Sequence, residues 1–332
     1  MRISKKNCTF AESFRVMVIA NPIYDTVFKR LMENKRIARF FVETIIGEKV
    51  EDIAIVPQEY TYHPKVKKKK EKNSVKNEDT KEEWEILSLI RFDFVATIRN
   101  ADGGHQKVLI EIQKSNKPSN LMRFRTYLGE QYKRMDMVEV ASGKVEKALP
   151  IISIYLLGFK LPKIKAPAIK VGRTYTDIIG KTVIKQKSKL IEALTHDGYF
   201  VQIPHIKGKP RTSLEKLLSL FEQKYFIDEK NTVKEYEYPV DDENLKLIVE
   251  ILHHAAADAK TRREMEEAWW AEQDEKEYER IEKEIEEKNK IIEEKDKSLA
   301  EKDKSLSEKD KSLAEKDREI AELKRLYGIK IH

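Results

Sequence analysis

The sequence has only one cysteine, Cys8, among 332 residues. A single thiol excludes a disulfide framework and a cysteine-based zinc site, and it fits a reducing compartment. No apolar run approaches the ~20 residues that a membrane span needs. The stretch from Phe14 to Ala20 is short and lacks the cleavage pattern of a signal peptide. We therefore expect a cytoplasmic protein with no membrane partner, and exclude collagen, secreted mini-proteins and membrane proteins.

Charge is abundant but unevenly distributed. Charged residues make up 37% of the chain, against about 25% in an average protein. Residues 261–332 hold 18 basic and 23 acidic residues, which leaves 65 − 18 = 47 basic and 58 − 23 = 35 acidic residues in 1–260. This excess of +12 favours an anionic partner such as nucleic acid. Ordinary solubility charge plus one lysine-rich loop, residues 64–83, is the alternative; that loop is too polar to pack and predicts a disordered insertion.

Apolar periodicity predicts a mixed α/β (α+β) domain over residues 21–160, after an N-terminal tail of residues 1–20. A length near two average domains leaves room for further regions. The predicted order is α, β, β, β, α, β. Its elements are a helix at Tyr24–Ile46, strands at Ile53–Tyr62, Trp84–Arg99 and Lys107–Lys114, a helix at Ser119–Val140 and a strand at Pro150–Leu161.

Two regions follow the predicted domain. Residues 161–240 indicate a small α/β accessory region, with a strand within 193–206 and a helix over 214–225. Residues 241–332 indicate a helical tail that repeats every seven residues from Leu299 onward. Each repeat supplies one large apolar residue, whereas a stable coiled-coil seam uses two. The repeats therefore predict either a weak coiled coil, which would make a homo-oligomer, or a charged and partly helical tail.

The most informative segment is the predicted hairpin from Arg91 to Lys114. Two alternating runs flank the turn sequence N-A-D-G-G-H. If the hairpin folds symmetrically about Asp102, paired residue numbers sum to 204. Asp93 then lies opposite Glu111, with Arg91 opposite Gln113, and an apolar face forms on the other side.

Opposed carboxylates in a hairpin stand roughly 5 Å apart at Cβ and repel each other. A cation relieves this repulsion, and Mg²⁺ commonly uses one or two carboxylates together with substrate phosphates. Gln113 is expected on the same side as Glu111, where it could orient water or contact phosphate. The alternative is a solvated face on which Glu111 pairs with a nearby lysine or arginine.

These residues and their order resemble the PD-(D/E)XK nuclease superfamily, and within it the Rpn-type family of recombination-promoting nucleases and transposases. The opening N-P-I-Y-D-T-V-F-K, residues 21–29, is similar to the family's D-x-x-F-K segment. Asp93 falls at its strand aspartate, and Glu111-Ile112-Gln113 falls at its E-x-Q. The predicted helix with Arg123, Tyr127 and Tyr132 is similar to its closing helix. The resemblance implies a restriction-endonuclease-like αβββαβ core with a mixed sheet.

The resemblance also implies Mg²⁺-dependent cleavage of DNA, with Mn²⁺ as a possible substitute. The implied catalytic residues are Asp93, Glu111, Gln113 and Asp25, with Asp93 and Glu111 holding the metal; the implied DNA contacts are Arg91, Lys114, Arg123 and Tyr127. Asp25 can equally be a helix-start residue that favours the helix dipole. Arg123 and Tyr127 can equally line the edge of the core.

The sequence departs from the wider superfamily at Gln113, where many relatives have lysine. Lys114 is one residue too late to share that face, and Arg91 is a candidate substitute cation. Two other functions stay open at this point. One is a non-catalytic interaction module oligomerised by its tail, and the other is an inactive mobile-element remnant.

Overall fold

A computed structural model describes residues 17–56, 93–114, 118–140 and 142–326. The lysine-rich loop 64–83 and Arg91 lie outside the described residues, as does the predicted tail up to residue 16. The helices are α1 (Asp25–Met32), α2 (Lys35–Ile46), α3 (Pro118–Tyr132), α4 (Lys189–Leu194), α5 (Ser213–Ser219), α6 (Glu243–Ala257) and α7 (Ala259–Leu326). The strands are β1 (Met17–Ala20), β2 (Val50–Ile55), β3 (Phe94–Asn100), β4 (His105–Gln113), β5 (Asp136–Val140), β6 (Gly143–Lys147), β7 (Ile151–Leu157), β8 (Ala168–Val171), β9 (Tyr175–Thr176), β10 (Val183–Ile184), β11 (His196–Gln202) and β12 (Val233–Tyr236).

Six strands form one mixed sheet in the order β2-β3-β4-β7-β11-β8. The central strands β4, β7 and β11 run parallel, whereas β2, β3 and β8 join through antiparallel pairings. Parallel neighbours need a crossover, and α3 lies on the connection between β4 and β7. The predicted mixed α/β class, the mixed sheet and the long C-terminal helix are confirmed.

The register predicted for the β3–β4 hairpin is confirmed. Phe94 pairs with Ile110, and Ala96 pairs with Val108, so the residue numbers sum to 204. Gly103 adopts a φ of 79° in the turn, a left-handed conformation that suits glycine. The prediction of a single apolar face was incomplete, because Val95 and Leu109 on the other face are buried as well.

The two faces of the sheet pack against different helices. On one face, Val95 and Leu109 share a core with Phe124 and Tyr127 of α3. On the other face, the Tyr199 hydroxyl donates to the Ile46 carbonyl at the end of α2. Burial on both faces fixes the strands against slipping, since a one-residue shift would exchange the two faces.

Two predicted helices have different bounds. The expected helix Tyr24–Ile46 is divided into α1 and α2, because Asn34 starts a new helix by accepting hydrogen bonds from the Arg36 and Ile37 amides. The expected helix Ser119–Val140 ends at Tyr132, and a β5–β6 hairpin follows. There, Asp136 forms an ion pair of 2.7 Å with the buried Lys107, which ties β5 to the sheet instead of extending α3.

The sheet continues across the domain boundary predicted near residue 160. Strands β8 and β11 both join it beyond β7, and β12 pairs with β1, which lies within the predicted N-terminal tail. The described residues cluster into two compact units that divide between Glu266 and Glu267. Pairings between residues far apart in sequence, which local periodicity does not reveal, explain this difference.

The second unit consists of the helix α7 from Glu267 onward. Its apolar residues recur every seven positions and are between 48% and 73% exposed: Tyr278, Ile285, Ile292, Leu299, Leu306, Leu313 and Ile320. We call this row the α7 stripe. Pairing of the stripe with another copy stays a prediction. Among the helices of the described residues, none has the length and apolar character to cross a membrane.

Candidate functional site

The candidate site lies at the adjoining ends of β3 and β4. Glu111 lies near the end of β4, and Asp93 immediately precedes β3. The Ile112 amide donates a hydrogen bond of 2.5 Å to Asp93 Oδ2, which fixes the Asp93 carboxylate beside β4. The antiparallel register thus brings two acidic side chains together, as the sequence predicted.

Glu111 is buried and only partly satisfied. Its residue is 3% exposed. Oε1 accepts a hydrogen bond of 3.2 Å from Arg123 Nη2, and Oε2 has no hydrogen-bond partner among the described residues. A buried carboxylate oxygen without a partner costs several kcal/mol unless a proton or a cation neutralises it. Glu111 Oε2 therefore needs a bound proton or a bound cation.

The two carboxyls influence each other's protonation. Burial raises the pKa of Asp93 to about 7, and the neighbouring Asp25 carboxylate adds to that rise. Burial also raises the pKa of Glu111 well above its usual range; the Asp93 charge adds to the effect, while Arg123 opposes it. Clustered carboxyls with raised pKa values are typical of functional sites, although structural networks produce them too.

Asp25 approaches the pair from the start of α1. It is the first residue of that helix, and Lys29 Nζ lies 2.5 Å from its Oδ2 one turn later. The Lys29 charge also lowers the pKa of Asp93. Asp25 is thus both a helix-start residue and a neighbour of Asp93, and its catalytic role stays a prediction.

The other predicted site residues have different surroundings. Gln113 is half-buried at the end of β4. Lys114 lies with its Nζ 4.0 Å from the centre of the Tyr24 ring. Arg123 is about half exposed and pairs with Glu111. Tyr127 is buried in the core beneath α3, which is where the alternative expectation placed it. Arg91 lies outside the described residues.

Sequence reasoning gave no role to Lys29, although this residue ends the D-x-x-F-K segment, and it missed Tyr155. The four-residue spacing of Asp25 and Lys29 was a usable signal for an ion pair on one helix face. Tyr155 is the register partner of Glu111 on β7, and burial raises its pKa. Its ring stacks on Phe200 with centroids 4.6 Å apart. No local pattern identifies Tyr155, because its place depends on the parallel pairing of two distant strands.

The donor set suits a hard cation. Mg²⁺ and Mn²⁺ prefer oxygen ligands, and Mg²⁺ usually keeps water or phosphate oxygens besides one or two carboxylates. Glu111 Oε2 is a buried oxygen with no hydrogen-bond donor beside it among the described residues. Asp93 and Glu111 therefore fit such an ion. In the described ranges, however, no group of three or more His, Cys, Asp or Glu residues is placed to hold a metal by itself.

Comparison with protein-family models finds no match for this chain. Comparisons with curated proteins and with solved structures also find none. The likeness to PD-(D/E)XK nucleases therefore depends on the motifs, on their order along the chain and on the chemistry of the carboxylate site.

Proposed function

We propose that this protein is a metal-dependent endonuclease that hydrolyses DNA phosphodiester bonds. The observation that carries the proposal is Glu111 Oε2, a buried carboxylate oxygen with no hydrogen-bond partner in the described part of the chain, beside Asp93 at the end of a central strand. The order of helices and strands around it, with α1 before the hairpin and α3 after it, agrees with that proposal.

Each residue of the candidate site has a distinct role in the proposed cleavage. Asp93 and Glu111 would hold Mg²⁺ or Mn²⁺, which supplies polarisation of the phosphoryl oxygen and a water of lowered pKa. Arg123 is half exposed beside Glu111, so its remaining N–H groups can bind a phosphate oxygen. Gln113 has an amide suited to orienting water. In the overall reaction the water oxygen bonds to phosphorus, the bond to the 3′ oxygen breaks, and that oxygen leaves with a proton.

Lys29 is the cation that compensates for glutamine at position 113. It lies beside Asp25 and close enough to affect Asp93. It thus supplies positive charge from α1, where many superfamily members supply it from the strand. This arrangement favours a functional active site over a decayed one.

The test is a supercoiled-plasmid cleavage assay with Mg²⁺ and with EDTA. Asp93→Asn and Glu111→Gln should each reduce cleavage about a thousandfold or more, which corresponds to about 4 kcal/mol. Glu139→Gln is the matched control, because Glu139 is an exposed strand glutamate on β5. It should cleave like the wild type.

A second readout does not depend on activity. Mn²⁺ should raise the melting temperature of the wild type and of Glu139→Gln, since a ligand that binds the folded state stabilises it. The shift should disappear in Glu111→Gln. Undiminished cleavage by both carboxylate variants would contradict the proposal.

DNA binding without cleavage is the second candidate function. It is favoured by Gln113, which stands where many superfamily members have lysine. It is also favoured because the described residues contain no group of three or more His, Cys, Asp or Glu placed to hold a metal. This candidate predicts salt-dependent binding, no metal-dependent nicking, and equal DNA affinity for the wild type and Glu111→Gln.

A further inference from the structure

A second feature of the molecule is a basic and apolar segment formed by residues 160–189, which includes β8, β9 and β10. We call it the basic arm. Asp177 is its one acidic residue, so its net charge is 9 − 1 = +8, whereas the whole chain carries +7. Its basic residues are Lys160, Lys163, Lys165, Lys170, Arg173, Lys181, Lys185, Lys187 and Lys189. The arm therefore supplies +8 of the +12 excess carried by residues 1–260.

Three of the nine basic side chains form ion pairs with described residues. Arg173 pairs with Glu192 and Asp197, both at 2.9 Å. Lys170 and Lys187 lie near Glu48 and Glu192, at 3.9 and 3.7 Å. The remaining six lysines are exposed and form no ion pair with any described residue. They are available to a partner.

The hairpin made by β9 and β10 also exposes large aliphatic side chains at its tip. Ile178 is 80% exposed and Ile179 is 90% exposed. Turns are usually built from Gly, Asn, Asp, Ser and Pro, so two adjacent β-branched residues there are unusual. Exposed apolar groups rimmed by charge mark interaction surfaces.

The tip is held in one conformation. The Asp177 amide donates to the Thr182 carbonyl at 2.8 Å, and the Ile179 amide donates to Asp177 Oδ1 at 2.9 Å. A Cβ at Gly180 would lie 2.6 Å from Asp177 Oδ2, so a larger residue there would displace the Asp177 side chain. The two isoleucines are therefore presented on a preformed turn rather than on a chain that must first be ordered.

The arm begins at the Glu111 end of the sheet, where the Leu161 amide donates to Gln202 Oε1, and its β9–β10 hairpin is attached at the opposite end. Arg173 joins it to Asp197 and to the Thr195 carbonyl at the start of β11. In the parallel register, Glu111 is level with Tyr155 and Phe200, nearer the end of that strand. Binding at the hairpin can therefore be separated experimentally from chemistry at the carboxylates.

We infer that the basic arm binds duplex DNA, with the β9–β10 hairpin in a groove and its lysines on the flanking phosphates. A two-stranded β-ribbon fits the major groove, and aliphatic side chains at a tip contact base edges or open a base step. Unpaired lysines neutralise phosphates and release counterions. The choice of DNA as the polyanion rests on the proposed function, whereas the basic arm itself does not require cleavage.

The test is fluorescence anisotropy of a labelled duplex with the full chain in EDTA, over a range of salt concentrations. The triple variant Lys181→Gln/Lys185→Gln/Lys189→Gln should weaken binding at least tenfold at low salt. The slope of log affinity against log salt should fall by about 2 to 3, close to 0.9 per lost phosphate contact. Lys302→Gln/Lys309→Gln/Lys316→Gln, three exposed lysines of α7, is the matched control and should change neither quantity.

The isoleucine tip is tested separately. Ile178→Ser/Ile179→Ser should weaken DNA binding about tenfold with an unchanged salt slope, since no charge is lost. Met135→Ser/Met137→Ser removes two exposed methionines elsewhere and should have no effect.

Several results would overturn the inference. One is a lysine triple variant that binds like its control. Another is loss of binding to anionic vesicles, with DNA affinity retained, in the isoleucine variant; this would make the arm a membrane surface. A change of sedimentation with DNA affinity retained would make it a self-association surface. Failure of plasmid cleavage alone would contradict the nuclease and leave the arm's DNA binding intact.

Discussion

The β3–β4 hairpin and the helix α7 use charged residues in opposite ways. The hairpin has few charges, and Lys107 and Glu111 are buried among apolar side chains. The helix α7 is densely charged, and nearly all of its charges are exposed. A buried charge costs several kcal/mol without a partner, whereas an exposed ion pair contributes about 0–1 kcal/mol. A charge in the hairpin therefore calls for a structural or functional reason, and a charge in α7 does not.

The largest expected effect on stability comes from breaking a buried ion pair. Asp136→Ala leaves Lys107 buried without its carboxylate at 2.7 Å. We expect the free energy of unfolding of the first unit to fall by about 3–5 kcal/mol. Urea unfolding followed by near-ultraviolet circular dichroism measures this quantity.

The matched control for that prediction is in α7. Glu277→Ala removes an exposed partner that lies 3.0 Å from Arg280. It should change the free energy of unfolding by less than about 0.5 kcal/mol. Similar losses in the two variants would refute the contrast between buried and exposed charges.

Another buried charge, Lys234, makes the stability of the protein depend on pH. It is buried on β12, and its Nζ donates to the Glu222 carbonyl at 2.5 Å. Burial lowers the pKa of Lys234 to about 7, below the unfolded value near 10.4. Between these values the unfolded chain binds one proton more, so stability rises with pH by up to about 1.4 kcal/mol per unit.

The variant Lys234→Met should lack this slope. The measurement compares its free energy of unfolding with that of the wild type from pH 7.5 to 9.5. Lys189→Met, at an exposed lysine, is the control and should keep the wild-type slope. Parallel curves for wild type and Lys234→Met would show that Lys234 stays charged in the fold.

A smaller effect is expected at the candidate site itself. Asp93→Asn removes one of the closely placed carboxylates and keeps an oxygen that accepts from the Ile112 amide. In EDTA at pH 8, we expect it to raise the free energy of unfolding by about 1 kcal/mol, because functional sites often retain destabilising charge. Asp102→Asn, in the exposed turn, is the control. A less stable Asp93→Asn protein would show that this carboxylate is structural.

The part of the fold that was predicted correctly is the hairpin, whose alternating pattern and turn sequence constrain its register. The alternation from Phe92 to Gln113 fixed the register of β3 and β4, because a slip would exchange core and polar positions. The positions of Asp93 and Glu111 followed from that register. The end of the helix at Ile46 was also predicted correctly. The next residue, Gly47, has a φ of 72°, a left-handed conformation that suits glycine.

The rest depended either on a local cap or turn that competes with helical periodicity, or on contacts between distant residues. The division at Asn34 and the β5–β6 hairpin compete with helical periodicity that continues through both segments. The pairing of β11 with β7 has no local signal. For the site, an arginine or lysine partner for Glu111 was one of the expectations, but that the partner is Arg123 follows only from the packing of α3 on β4. Lys29 was overlooked because its role depends on where α1 lies.

The α7 stripe gives the smallest expected effect. Position i+3 from each leucine at 299, 306 and 313 is a lysine, so the seam has one large apolar residue per heptad instead of two. Leu306→Ala should therefore change the unfolding of the first unit by less than about 0.5 kcal/mol and weaken any self-association only slightly. The complementary variant Lys302→Leu/Lys309→Leu/Lys316→Leu completes the seam. Sedimentation should show it as a stable oligomer at micromolar concentration; if the wild type is already equally oligomeric, the stripe alone suffices and its lysines are part of the interface.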